Sequence, residues 1–136
     1  MNHWLVKSEP ESYSWETFVK KGRDHWDGVR NYQARNNLSA MQIGDWVLFY
    51  HSGDAREVVG LAEVVSGPYP DPTTTDTRWI VVDLSPKQAL RNHVSLQTIK
   101  ADPRLSDIAL VRQSRLSVMP LSKEAFDIIL ALSEMG

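Results

Sequence analysis

Asp45-Trp46-Val47-Leu48-Phe49-Tyr50-His51-Ser52 is a run of aromatic and β-branched residues that stops at Gly53-Asp54. After a short connection, Val58-Val59-Gly60-Leu61-Ala62-Glu63-Val64-Val65 returns with the same character. Two such runs separated by turn residues predict a β-hairpin. Outward from it, residues 3–7 form a short apolar strand ending at Ser8-Glu9-Pro10. Residues 78–84 predict a third strong strand and residues 116–119 a last one. Ser14 caps a helix over residues 15–20, with Glu16 in its first turn and Gly22 as its stop. Residues 31–41 are helical in pattern, because Ala34, Leu38 and Met41 share a face. Residues 94–101 predict a short helix or turn. Ser122 caps a final helix whose Phe126, Ile129, Leu130 and Ser133 share a face. The stretch 67–77, with three prolines and three consecutive threonines, predicts a long exposed loop. The expected class is α+β. Antiparallel strands around one core would close into a small mixed β-barrel with flanking short helices. The strand–helix alternation of a doubly wound sheet is missing.

Composition narrows the function. The chain has 136 residues, the length of a single domain spanning 1–136. It has no cysteine, which excludes disulfide partners, thiol nucleophiles and Cys-ligated zinc, including the zinc base deaminases. The longest apolar runs, residues 46–50 and 128–132, are far short of a membrane span. No secretory signal is visible at the start, so the expected location is cytoplasmic, or nuclear in a eukaryote. Fifteen Lys and Arg face seventeen Asp and Glu, for a net charge of −2. A protein that coats duplex nucleic acid through its phosphates would be basic. A local patch stays open, since nine of the fifteen cations are arginine.

Several chemistries find no support. There is no glycine-rich phosphate loop. Asp24-His25-Trp26-Asp27 lacks the spacing that would converge three ligands on one ion, and no metal or cofactor is expected. His51 and Ser52 are neighbours on a strand and point to opposite faces, which separates them as base and nucleophile. The carboxylates Glu9, Glu11 and Glu63 are not organised as a pair.

The densest segment is Trp26-Asp27-Gly28-Val29-Arg30-Asn31-Tyr32-Gln33-Ala34-Arg35-Asn36. Amides can read a base edge, aromatic rings can stack on its faces, and arginine binds phosphate. The same residues also suit an ordinary helix start with Asn31 as cap, and composition alone does not choose. Lys7-Ser8-Glu9 at a strand end has the character of a pocket rim.

In order along nearly the whole chain, five segments resemble the EVE domain family. They are Trp4-Leu5-Val6-Lys7-Ser8-Glu9-Pro10, the Trp26–Asn36 run, Phe49-Tyr50-His51-Ser52, Tyr69-Pro70-Asp71 and Val111-Arg112-Gln113-Ser114-Arg115-Leu116-Ser117-Val118. The resemblance implies a PUA-like fold and kinship with YTH domains, which hold a methylated adenine of RNA in an aromatic cage. It also implies recognition of a modified base, modified cytosine in DNA among the proposals. By that similarity Trp26 matches the cage tryptophan, and Lys7, Ser8 and Glu9 line the pocket floor. Asp27, Gly28, Asn31, Tyr50, His51 and Ser52 would lie around it. Tyr69 and Trp79 are candidates for a further wall, and Arg30, Arg35 and Arg112 would hold phosphate. The expected function is a non-catalytic module that binds nucleic acid, DNA or RNA, carrying a modified base. Two alternatives stand beside it. One is an RNA- or nucleoside-modifying enzyme with His51 or Glu9 as general base, and the other is a small-ligand or protein-interaction domain.

Overall fold

A computed structural model describes residues 2–134. Strand β1 (His3–Ser8) lies between β3 (Trp46–His51) and β8 (Val118–Leu121), parallel to the first and antiparallel to the second. Its parallel register pairs Lys7 with Tyr50 and Ser8 with His51. β4 (Glu57–Val64) returns antiparallel to β3, the hairpin the aromatic run predicts. β7 (Asp83–Ser95) pairs with β4, and the two-residue β2 (Asp24–His25) pairs with the start of β7. The sheet order is therefore β2-β7-β4-β3-β1-β8, and the sheet curls into a half-barrel. Tyr69–Pro70 (β5) and Ile80–Val81 (β6) form a separate two-stranded ribbon.

The sequence reading differs from this fold in several places, and it lacks β2 (Asp24–His25) and the short helix Ala109–Arg112 altogether. The strand expected over residues 78–84 is broken at Val82. Its first half joins the ribbon, and its second half opens the thirteen-residue β7. β7 escapes notice because Lys87, Gln88 and Ala89 are exposed and Pro86 looks like a breaker. Pro86 sits opposite Ala62 at a register shift in the ladder, where a missing N–H is tolerated. The loop expected over residues 67–77 contains β5 and one buried carboxylate, Asp71. The last strand starts at Val118, two residues later than expected.

Five helices flank the sheet. α1 (Trp15–Lys21) is capped by the Ser14 hydroxyl, which accepts from the Thr17 N–H. It stops at Gly22, whose φ of 72° suits the left-handed cap. α2 (Tyr32–Ala40) is capped by Asn31, which accepts from the Ala34 N–H at 2.9 Å. α3 (Leu96–Ala101) and α4 (Ala109–Arg112) are short, and α5 (Lys123–Glu134) packs on β7 and β8. No helix among the described residues is long and apolar enough to cross a membrane.

Phe49 is the hub of the core. Its ring stacks on Phe18 at 5.5 Å and meets Trp15 and Trp26 edge-on at 5.4 Å each. Gly60 on β4 makes room for Trp15, since a Cβ there would lie 2.5 Å from the indole ring. The aromatic cluster thus anchors the end of β2 that leads into the Trp26 segment.

Candidate nucleic-acid interface

The chain crosses from β2 into Trp26-Asp27-Gly28-Val29-Arg30 directly beside the end of β1. A cavity of about 270 Å³ opens there. Lys7 and Ser8 from β1, Trp26, Asp27 and Gly28 after β2, and Arg30 line it. Tyr13, Asp24, His25, Val29 and Ser117 complete the wall. The volume is just under the usual range for small-molecule sites and suits one compact planar group.

The backbone of this rim is fixed from below. Trp26 donates its N–H to the Val82 carbonyl at 2.9 Å, and Gly28 turns with φ of 73°. Asp71, whose side chain has no solvent exposure, reaches up from the loop before β6. It accepts from the Gly28 N–H at 3.3 Å, from Arg30 Nη1 at 3.1 Å, and from the Thr73 N–H and hydroxyl. Burial pushes its carboxyl up, but these donors outweigh burial and hold it below the usual carboxylate range. The opposite rim is tied through β1, where the Lys7 N–H meets the Ser117 carbonyl at 2.9 Å.

The wall combines rings with charges. Trp26 is 8% exposed and meets Tyr13 edge-on at 6.2 Å. The Tyr13 hydroxyl donates to Asp24 Oδ2 at 2.7 Å. Burial and the Asp24 carboxylate together push that phenol well above its ordinary value. Burial also raises Asp24, yet the Tyr13 hydroxyl, Lys21 and the His25 N–H pull it net downward, so it is ionised at neutral pH. Asp27 keeps open lone pairs, since its side chain is 44% exposed and, among the described residues, only the His25 ring lies within ion-pair distance, at 3.3 Å. Lys7 spends one donor on the Ser114 carbonyl at 2.9 Å and keeps two, and burial lowers its pKa. Cavity-lining aromatics and outward-facing donors and acceptors are what a planar heterocycle with a polar edge requires.

Other expected site residues lie elsewhere. Glu9 is exposed, and its carbonyl closes a turn with the Ser12 and Tyr13 N–H groups. Asn31 is the cap of α2. Tyr50 is buried beside Lys7, with the ammonium 5.8 Å from its ring centre. Ser52 donates its N–H to the Ser8 carbonyl. Tyr69 donates its hydroxyl to Asp83, and Trp79 stacks on Tyr32. Arg35 lies on α2, and Arg112 is paired with Asp107 at the end of α4. Among the described residues no group of three or more His, Asp or Glu is arranged to hold a metal.

His51 is buried under α1, where its Nε2 accepts the Trp15 N–H at 3.0 Å. Burial lowers its pKa and outweighs the nearby Glu16, Glu57 and Glu11 carboxylates, with His93 adding to the lowering. The neutral ring is therefore the folded form. Its contribution to stability is full above the ordinary histidine pKa and is lost as pH falls. Between pH 7.5 and pH 5, thermal unfolding should show a loss of at most about 2 kcal/mol attributable to this ring, the ceiling for one histidine over that interval. His51→Gln keeps an acceptor without a titration, so its stability should fall less over the same interval. Equal pH slopes in the two proteins would remove His51 from that role.

A curled half-barrel with short flanking helices and a cavity at the end of its first strand defines a PUA-like domain. The EVE domain family model matches residues 2–132, and the chain belongs to the EVE domain family. Mouse thymocyte nuclear protein 1 is 35% identical over 167 aligned residues, covering 98% of this chain and 74% of the mouse protein. A crystal structure from Agrobacterium tumefaciens is 43% identical with a TM-score of 0.96, covering 98% of this chain and 93% of that one. The crystal structure of human THYN1 protein in complex with DNA containing 5-methylcytosine has a TM-score of 0.93 and 32% identity. The overlap there is 100% of this chain and 99% of the human one. The YTH domain of Zygosaccharomyces rouxii MRB1, at 18% identity and a TM-score of 0.60, shares the fold.

Proposed function

We propose that this protein is a non-catalytic reader that takes one modified nucleobase out of a nucleic-acid strand into the cavity beside Trp26. A cytosine modified at its 5-position is the preferred base. The observation that carries the reading is the pairing of a cavity-lining indole with the open Asp27 carboxylate and the Lys7 ammonium. A carboxylate accepts from the exocyclic amine of cytosine, and an ammonium donates to a ring carbonyl. Thymine and uracil offer no amine to Asp27. The complex of the human relative with 5-methylcytosine DNA supports the same choice. Stacking contributes about 1–3 kcal/mol per base, and a buried methyl adds about 0.8 kcal/mol. The second term corresponds to a preference of about fourfold for the methylated base. Enzyme chemistry has less support, because the His51 ring nitrogen is engaged with α1 and Glu9 lies in an exposed turn.

The test uses matched oligonucleotides that differ at one base: cytosine, 5-methylcytosine, 5-hydroxymethylcytosine or N6-methyladenine, in DNA and in RNA. The expected result is tightest binding to a 5-modified cytosine, with recovery of the oligonucleotide unchanged. Asp27→Ala should weaken that binding about tenfold, as expected for loss of a charge-assisted bond. Equal affinity for all four bases would overturn the reading.

A further inference from the structure

We propose that the ring pair Tyr32–Trp79, with the guanidinium groups of Arg30, Arg35 and Arg78 around it, binds the phosphate of the nucleotide adjoining the base in the cavity. The strand then leaves the pocket across the start of α2. This subsite rests on reading the cavity as a base pocket.

The two rings stack at 5.2 Å with 30° between their planes. Arg35 lies 5.1 Å from the Tyr32 ring centre, and Arg30 and Arg78 lie 5.5 and 5.8 Å from that of Trp79. Tyr32 is 51% exposed, a large ring left in solvent where most others are buried. Hydrogen bonds lock the group together: Arg78 Nη1 donates to the Tyr32 hydroxyl at 3.1 Å, and Arg35 Nη1 to the Arg78 carbonyl at 3.3 Å. Guanidinium groups packed on rings lose little freedom when they bind, and their planar forks match phosphate oxygens.

The charges leave an opening for an anion. Arg78 is balanced by Asp76, and Arg30 by Asp71. Arg35 forms no ion pair among the described residues; its Nε and Nη2 meet only the neutral Asn36 side-chain oxygen. Arg30 belongs to both places, since it lines the cavity and lies over Trp79. A base in the cavity therefore has its own backbone within reach of this cluster. On the opposite rim, the Lys7 ammonium is already bonded to the Ser114 carbonyl.

The experiment compares 5-methyl-2′-deoxycytidine with a short single-stranded DNA carrying the same base, each titrated by NMR at several salt concentrations. The proteins are wild type, the exposed-site double variant Arg35→Ala/Arg78→Ala, and Arg35→Lys/Arg78→Lys. The double alanine variant should bind the nucleoside within twofold of wild type and the oligonucleotide about tenfold more weakly. Its slope of log affinity against log salt should fall in magnitude by about 0.7 for each phosphate of the single strand that the variant no longer neutralises. The lysine variant should restore the slope but only part of the affinity. Unchanged oligonucleotide affinity and slope in the alanine variant, with the nucleoside still bound, would overturn the subsite alone. So would an equal loss for nucleoside and oligonucleotide. Wild-type protein that binds neither ligand would overturn the pocket reading and the subsite with it.

Discussion

Trp26→Ala is expected to lower the free energy of unfolding by about 3–5 kcal/mol and to abolish selective base binding. The indole is a wall of the cavity and a member of the core at once. It packs edge-on against Phe49 and Tyr13, so truncation leaves a void beneath the rim as well as a missing stacking partner. A small domain has about 5–15 kcal/mol in total, so the variant should fold but unfold at markedly lower urea concentration. Loss of binding in that variant has two sources. Trp26→Phe separates them: it keeps apolar bulk, should cost less stability, and should still lose much of the preference for a modified base. A Trp26→Phe protein with native circular dichroism and full selectivity would show that the ring is structural only.

The second large effect is expected at Asp71. Asp71→Ala removes the buried acceptor shared by the more exposed Gly28, Arg30 and Thr73 donors. Bonds to a charged acceptor contribute about 1.5–3 kcal/mol each, and relaxation recovers part of that, so a loss of about 3 kcal/mol is expected. The rim at residues 28–30 would lose its support, and oligonucleotide affinity should fall along with stability. The sign with pH follows from the depressed carboxyl. Its stabilising contribution is present above the ordinary aspartate pKa and is lost as pH falls through the folded value. Urea denaturation at pH 7 and at pH 3 should therefore show a gap between wild type and Asp71→Ala that narrows in acid. A gap that stays constant would mean that packing, not the ionised carboxylate, holds the loop.

How far the sequence reaches is set by how local each interaction is. The β3–β4 hairpin, the Ser14 and Asn31 caps and the Gly22 stop are all readable, because each depends on residues within a few positions of one another. β7 is not, since its central residues face solvent and its regularity comes from pairing with β4. At the site, the Trp26-Asp27-Gly28 segment is prominent through its density of rings and polar groups. Tyr13 escapes notice, and Asp24 is weighed only as a metal ligand, because only the fold turns Tyr13 toward Asp24. Ser117 joins the wall through its backbone bond to Lys7 on β1, a pairing of residues far apart in the chain that no local pattern carries. The buried role of Asp71 is hidden by a proline- and threonine-rich neighbourhood that reads as exposed. His51 draws attention as a polar residue beside Ser52, yet its ring supports α1.

The five tryptophans offer a direct map of where a ligand sits, because they occupy different parts of the molecule. Trp26 lines the cavity and Trp79 lies in the arginine cluster. Trp15 borders a separate groove of about 630 Å³ between α1 and β7, and Trp4 is bonded to the buried Asp45. The decisive measurement is titration of the protein with 5-methyl-2′-deoxycytidine while the five indole N–H resonances are followed, the Trp26 signal being assigned from Trp26→Phe. A saturable shift of the Trp26 resonance, with Trp4 and Trp46 unmoved, is the expected result and places the base in the cavity. A saturable shift confined to Trp15, or none at any tryptophan, would contradict it.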